Sequence, residues 1–278
     1  VNALHVANLT KRYPSFVLEN VSFTVGEGRV TGLIGANGAG KTTTLKAVTG
    51  TVGAQGTVEF FGKPLRGNER EIKKKIGYIG GGFRYYPQKS ANTVARAVSY
   101  CYTDWNQTAF ENLLARYGID GGKKISQLSE GMKVKFFLAL ALSHGARLLV
   151  LDEPTSGLDP LSREEFCAEM LQLVRNEGVS VLFSTHITGD LERIADDIVL
   201  LSEGKMLAAE PLATLKSRYF YSCFATESAA RAAGAIGVRR GRDCFEGLLS
   251  EKKNNGERAA TLDEIIVHLE TERKGGKK

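Results

Sequence analysis

Lys41 and Thr42 close the segment Gly35-Ala-Asn-Gly-Ala-Gly-Lys-Thr42, and Thr43 follows it. One cation and two hydroxyls behind a glycine-rich turn are the chemistry of a phosphate chain. Gly35, Gly38 and Gly40 have no Cβ. With Asn37 and Ala39 between them, the backbone can wrap phosphate oxygens and turn several N–H groups inward. Lys41 is placed to reach β- and γ-phosphates, and the Thr42 hydroxyl is the expected ligand of a Mg²⁺ ion. A second group of oxygens stands far along the chain, where Leu148-Leu-Val-Leu runs into Asp152-Glu153. Asp152 is the natural partner of that Mg²⁺, and Glu153 is a candidate base for an attacking water. His186 ends a third apolar run. Taken alone it would be an ordinary strand-end histidine, and its position after two such carboxylates is what singles it out.

The elements that must hold these residues are legible around them. Val30-Thr-Gly-Leu-Ile34 is an apolar strand, and Thr44-Leu-Lys-Ala-Val48 starts a helix, so the glycines fall in a strand–turn–helix unit. The helix adds its positive N-terminal end to the phosphate site. The continuous apolar run Leu148–Leu151 is a strand buried on both faces of a parallel sheet, with function at its carboxyl end, and Val179–Ser184 is another buried strand. Asp159 caps and Pro160 opens the helix between these two strands, and the helix stops near Gly178.

Elsewhere the pattern changes. Leu4 to Val25 alternates and turns as short antiparallel strands, joined later by Thr57–Phe61. Tyr13 lies in their first turn. It is either a packing residue, which ordinary tyrosine burial favours, or an aromatic face for a base. After the short strand Ile76–Ile79 come three glycines, Gly80–Gly82. Residues from about Thr93 to His144 are helical in pattern, with Phe110, Leu113 and Leu114 on one face and a strong apolar helix from Met132 to Leu142. This block, about 84–144, reads as an inserted helical subdomain. Ser129 caps its last helix.

The totals set wide limits. The 278 residues are 42% hydrophobic and 24% charged with a net charge of +6, an ordinary globular composition with room for two or three subdomains. The positive balance suits an anionic surface but decides nothing alone, since some of it lies in the terminal Lys274-Gly-Gly-Lys-Lys278. Cys101, Cys167, Cys223 and Cys244 have neither Cys-x-x-Cys spacing nor neighbouring histidines, so they are expected to be reduced thiols. Phe136–Leu142, the longest apolar run, is too short to span a bilayer. The expectation is a soluble protein whose membrane work, if any, is done by another polypeptide.

Over at least residues 4–210 the chain resembles the ATP-binding subunits of ATP-binding-cassette (ABC) transporters. The resemblance is carried by the phosphate loop, the segment Leu128-Ser-Glu-Gly-Met132, the Asp152-Glu153 pair, the loop Ser156–Asp159 and His186, in that order. Asp104-Trp105, Ser184-Thr-His-Ile187 and Thr261-Leu-Asp-Glu264 are similar to the branch that includes bacitracin- and lantibiotic-type exporters. The resemblance implies an α/β fold: a P-loop NTPase (RecA-like) core, an antiparallel β subdomain, the inserted helical subdomain and a small C-terminal extension. It divides the chain into an ATP-binding domain, 1–210, and an extension, 211–278. It implies ATP hydrolysis with Mg²⁺, with Glu153 and His186 catalytic and Tyr13 now stacking on adenine. Head-to-tail pairing with a second cassette, expected as a homodimer, would bring Ser129 and Gly131 to the γ-phosphate held by the partner, with Asp159 beside the nucleotide. An integral membrane permease is the other expected partner, no nucleic acid is expected, and the place of work is the cytoplasmic face of the membrane as a peripheral subunit.

Two departures stand out. The usual Leu-Ser-Gly-Gly-Gln segment here has Glu130 and Met132, and the metal-side glutamine of the family falls within Gly80–Gly82, which has no side chain to offer. A water in that ligand position is expected, with Gln88 as the nearest alternative. In the extension, Thr261-Leu-Asp-Glu264 is a capping-box pattern before an apolar face of Leu262, Ile265, Ile266 and Leu269. Arg239, Arg240 and Arg242 read as a solvated turn. Two other readings stay in view: a soluble ABC ATPase in assembly or translation, whose translation members usually carry two cassettes, and an unrelated P-loop enzyme. The latter would lack the Leu128–Met132 segment, and no Asn-Lys-x-Asp guanine motif is present.

Overall fold

The computed structural model describes residues 2–80, 86–252 and 257–275, with Lys274 described by its backbone alone. Gly81 and Gly82, on which part of the glycine-loop expectation falls, lie outside the described residues. The N-terminal alternation forms β1 (Asn2–Tyr13) and β2 (Phe16–Gly26), a hairpin of long strands where short ones were expected. Its length is achieved through register shifts that let the strands bend, and β4 (Gln55–Phe60) and β5 (Lys63–Pro64) extend it to an antiparallel sheet ordered β2-β1-β4-β5.

The central sheet contains β3 (Val30–Ile34), β6 (Ile76–Ile79), β7 (Leu148–Asp152), β8 (Ser180–Thr185), β9 (Asp197–Ser202) and β10 (Lys205–Pro211), in the order β10-β9-β3-β8-β7-β6. Every residue of β3, β7 and β8 is buried, as continuous apolar runs in a parallel sheet covered on both faces must be. Register makes the site. Ile34 pairs with Thr185, and Asp152 with Ser184, so β3, β7 and β8 end in one layer. The phosphate loop, the carboxylates and His186 leave the sheet at that edge. Crossing helices are α1 (Lys41–Val48), α2 (Glu69–Lys73), α6 (Pro160–Glu177) and α7 (Thr188–Ile194).

Between β6 and β7 lie α3 (Ala91–Ser99), α4 (Gln107–Arg116) and α5 (Glu130–Ser143). Ser90, Asn106 and Ser129 each cap one of them through a side-chain oxygen. Phe110 and Phe136 anchor a separate core there, with ring centroids 6.3 Å apart in an edge-on arrangement.

After β10, the short helix α8 (Leu212–Ser217) leads to a second antiparallel sheet with two further helices. Its strands β11 (Phe220–Phe224), β12 (Ile236–Arg240), β13 (Phe245–Leu249) and β14 (Arg258–Ala259) are ordered β12-β13-β11-β14, with α9 (Glu227–Ala232) and α10 (Leu262–Gly275) beside them. The expected solvated turn is therefore corrected: Arg239 and Arg240 complete β12, and Arg239 Nε donates to Glu246 Oε2 across the strand pair at 2.8 Å. The capping box at α10 is present, with Thr261 N donating to Glu264 Oε2 at 2.9 Å and Glu264 N to Thr261 Oγ1 at 3.3 Å. Leu262, Ile265 and Ile266 are buried in the same cluster as Leu191 and Ile194 of α7, so this part shares a core with the parallel sheet.

Candidate functional site

The turn after β3 is held by close packing. A Cβ on Gly35 would lie 2.2 Å from the Leu201 carbonyl oxygen of β9, so only glycine allows the loop to lie against that strand. Gly40 precedes α1 in the left-handed region, φ 110°, and α1 starts with no side chain bonded to its first N–H groups. Those donors point where an anion is favoured. Tyr13, Asn37, Gly38, Ala39, Gly40, Lys41, Thr42, Thr43 and Glu153, with Pro14, Ser15 and Phe16, line one open cavity of about 650 Å³. The β1–β2 turn thus forms its far wall, and Lys11 Nζ stands 5.3 Å from the Tyr13 ring centre.

Lys41 is buried, and its Nζ donates to the Gly35 carbonyl oxygen at 2.7 Å and lies 3.3 Å from Glu153 Oε1. Thr42 Oγ1 donates to Asp152 Oδ1 at 3.3 Å, and Ser184 Oγ donates to the same oxygen at 3.1 Å. His186 Nδ1 is 2.7 Å from Glu153 Oε2, which also accepts from the His186 backbone N–H at 3.3 Å. Glu153 itself takes φ 51°, a conformation uncommon for a side-chain-bearing residue, while its N–H donates to the Ser184 carbonyl at 2.9 Å. Its carboxylate is therefore held from both sides, by a cation and by an imidazole. Lys41, Thr42, Asp152, Glu153 and His186, drawn from three strand ends, form one contact network.

Ser129, Gly131 and Asp159 do not line that cavity. They make a second group. Ser129 Oγ accepts from Met132 N at 3.2 Å at the head of α5, and Asp159 accepts from Leu161 N and Ser162 N, each at 3.0 Å, and from Ser162 Oγ at 2.6 Å. Those hydrogen bonds hold the Asp159 carboxyl below the usual range, Ser162 contributing most. Gly131 faces Ser162: a methyl placed on it would stand 3.4 Å from Ser162 Oγ. Glu130 turns to Lys133, 2.5 Å away, so the charge added to this segment is paired within its own helix. Gln88 is exposed, and its Oε1 accepts from Lys124 Nζ at 3.5 Å.

Sequence reasoning gave Ser184 no role, although it shares Asp152 with Thr42. The signal was its place as the strand residue directly opposite Asp152. It also passed over Thr155 and Asp190, whose side chains are bonded to each other at 2.7 Å in the interior. No spacing rule relates residues 35 apart on different elements.

Residues 18–156 match the sequence model of the ABC transporter family. The chain belongs to that family. It is an ATP-binding cassette, an ATPase, with the α/β P-loop fold expected. The cassette is 31% identical over 219 residues to the bacitracin transport ATP-binding protein BcrA of Bacillus licheniformis, covering 77% of this chain and 72% of that protein. It is 34% identical over 208 residues to the lantibiotic transport ATP-binding protein SrtF of Streptococcus pyogenes, covering 73% and 89%. Among solved structures, an ATP-binding subunit of an ABC transporter superposes with a TM-score of 0.69 at 28% identity over 77% of this chain and 92% of that one. A dimeric cassette in a post-hydrolysis state, bound to ADP and Pi, shares the fold with a TM-score of 0.66 at 22% identity over 75% and 98%.

Proposed function

We propose that this cassette hydrolyses ATP to drive a separate membrane permease, in the export direction, as a homodimer at the cytoplasmic face of the membrane. The observation that carries the reading is the division of the site into two groups. Lys41, Thr42 and Glu153 line one cavity, with Asp152 bonded to Thr42 and His186 bonded to Glu153, whereas Ser129, Gly131 and Asp159 line no part of it. A second cassette, turned head to tail, supplies its own Ser129 and Gly131 to the phosphates held here. Residues 1–210 are the ATP-binding domain, with the helical subdomain at about 84–144, and 211–278 the extension. Among the described residues no helix is long and apolar enough to cross a membrane, so the spanning part is assigned to the permease. Relatives named for bacitracin and lantibiotic transport support the transport reading.

In the mechanism, Tyr13 offers its half-exposed ring to adenine, and Gly35 to Thr43 wrap the phosphates. A phosphate oxygen that takes Lys41 Nζ replaces its 3.3 Å contact with Glu153, which releases that carboxylate oxygen toward water. Glu153 then accepts the proton of the attacking water, while His186, hydrogen-bonded to the other carboxylate oxygen, fixes its orientation. Thr42 and Asp152 offer adjacent hard oxygens, the donor type Mg²⁺ prefers. Among the described residues no cluster of three His, Cys, Asp or Glu could hold an ion unaided, as suits an ion held by one or two protein ligands and phosphates. Held by Thr42 and Asp152, a Mg²⁺ ion would supply neutralisation of charge on the phosphates.

The test is capture of the tagged chain from detergent-solubilised membranes of its own source. Co-purification of a stoichiometric polytopic membrane protein is expected. Recovery with ribosomes or soluble assembly factors alone would contradict the transport reading.

A further inference from the structure

The carboxylate and imidazole at the heart of the site stand on two different segments. Glu153 begins the loop from β7 to α6, and His186 begins the turn from β8 to α7. Two residues beyond Glu153, Thr155 is fully buried, and four beyond His186, Asp190 is 3% exposed. Thr155 Oγ1 donates to Asp190 Oδ2 at 2.7 Å. From α6, Arg163 adds a looser contact, its Nε 3.9 Å from Asp190 Oδ1, while its terminal nitrogen donates to the Leu158 carbonyl at 3.3 Å. The chain thus makes a closed ring of contacts: Glu153 to His186 at the top, Thr155 to Asp190 below, and short stretches of backbone as the sides.

A buried carboxylate with one hydrogen bond and only loosely placed cations, Arg163 and Arg193, is a poor stability device, because its desolvation is only partly offset. Burial accordingly pushes the Asp190 carboxyl above the usual range. What such a bond supplies is distance and direction. We propose that Thr155 and Asp190 are positioning residues, whose hydrogen bond sets the placement of the Glu153 carboxylate against the His186 imidazole during hydrolysis. Neither touches the cavity that holds the phosphates, so they act through the two residues above them. The strained backbone at Glu153, φ 51°, makes this bracing matter: without it the loop can relax toward an ordinary conformation and carry the carboxylate away. The inference rests on Glu153 being the base.

The test measures ATP affinity, kcat and KM for Thr155→Val, Thr155→Ser, Asp190→Ala and Glu153→Gln, and for Thr155→Val combined with Glu153→Gln. Thr155→Val and Asp190→Ala should each lower kcat about 10–100-fold, as small misplacements of reacting groups do, with ATP affinity and KM within about twofold of wild type. Thr155→Ser keeps the hydroxyl and should retain at least about half the rate. Added to Glu153→Gln, Thr155→Val should cause no further loss, since nothing is left to position. The inference is overturned if Thr155→Val or Asp190→Ala turns over within about twofold of wild type. It is equally overturned if affinity falls in step with rate, or if the loss repeats in full on the Glu153→Gln background. Should Thr155→Val not fold, Asp190→Ala decides by the same criteria. If Glu153→Gln alone keeps half the rate, it is the base assignment that fails.

Discussion

Two helix starts in this molecule carry glycines and lie near expected phosphate positions, yet they are built differently. α1 begins behind Gly40 with no side chain on its first N–H groups, beside a buried lysine. α5 begins behind Ser129, whose hydroxyl oxygen already accepts from its own helix at Met132 N. Orphan donors and a cation beside them make the first a complete anion site within one chain. The second has its Met132 N–H already taken by its own cap and stands outside the nucleotide cavity, and in the proposed dimer it meets phosphates held by the partner. In the proposed function α1 serves binding and α5 serves assembly, and that proposal can be broken.

The largest effect is expected on the α1 side, at the chemistry. Glu153→Gln should leave ATP binding intact while hydrolysis falls by about 10²–10⁴, the usual loss when a positioned base is removed. A steady-state assay that finds half the wild-type turnover would remove Glu153 from that role. Lys41→Ala should act earlier and more weakly, lowering ATP affinity roughly 10–100-fold, because the phosphates lose their P-loop cation and charge-assisted bonds contribute about 1.5–3 kcal/mol. Equal affinities in isothermal titration would contradict it.

The sharpest contrast comes from α5. A methyl on Gly131 meets only ordinary contacts, Ser162 Oγ at 3.4 Å and Leu158 Cδ2 at 3.9 Å. Gly131→Ala should therefore melt no lower than wild type, and helix propensity favours alanine by roughly 0.5–1 kcal/mol. ATP affinity of the monomer should be unchanged, yet turnover should fall about tenfold because the methyl occupies the approach of the partner's phosphate. Full turnover, or a loss of affinity equal to that of Lys41→Ala, would erase the distinction between the two helix starts.

Much of this was legible in the sequence, for identifiable reasons. Glycines before Lys41-Thr42 have few alternatives, and runs such as Leu148–Leu151 fit only a strand buried on both faces, so carboxylates at its end must fall beside the loop. Caps were equally local: Ser129, Asp159 and Thr261 each bond within three residues. What escaped was non-local. The second antiparallel sheet is built from strands of five residues or fewer with a register shift between Ile236 and Arg239, too brief and irregular for alternation to show. The arginines there looked like a surface turn because the partner of Arg239, Glu246, lies on the next strand. Thr155 and Asp190 had no signal at all, since only the parallel register of β7 and β8 makes them neighbours.

The central claim is that one chain carries both halves of a site completed only by a second copy. Sedimentation velocity of the Glu153→Gln protein, with and without ATP and Mg²⁺, tests it most directly. A monomer without nucleotide and a dimer with it are expected. A species that stays monomeric at protein and ATP concentrations well above the measured ATP affinity would contradict the homodimer and assign the second half-site to a different chain.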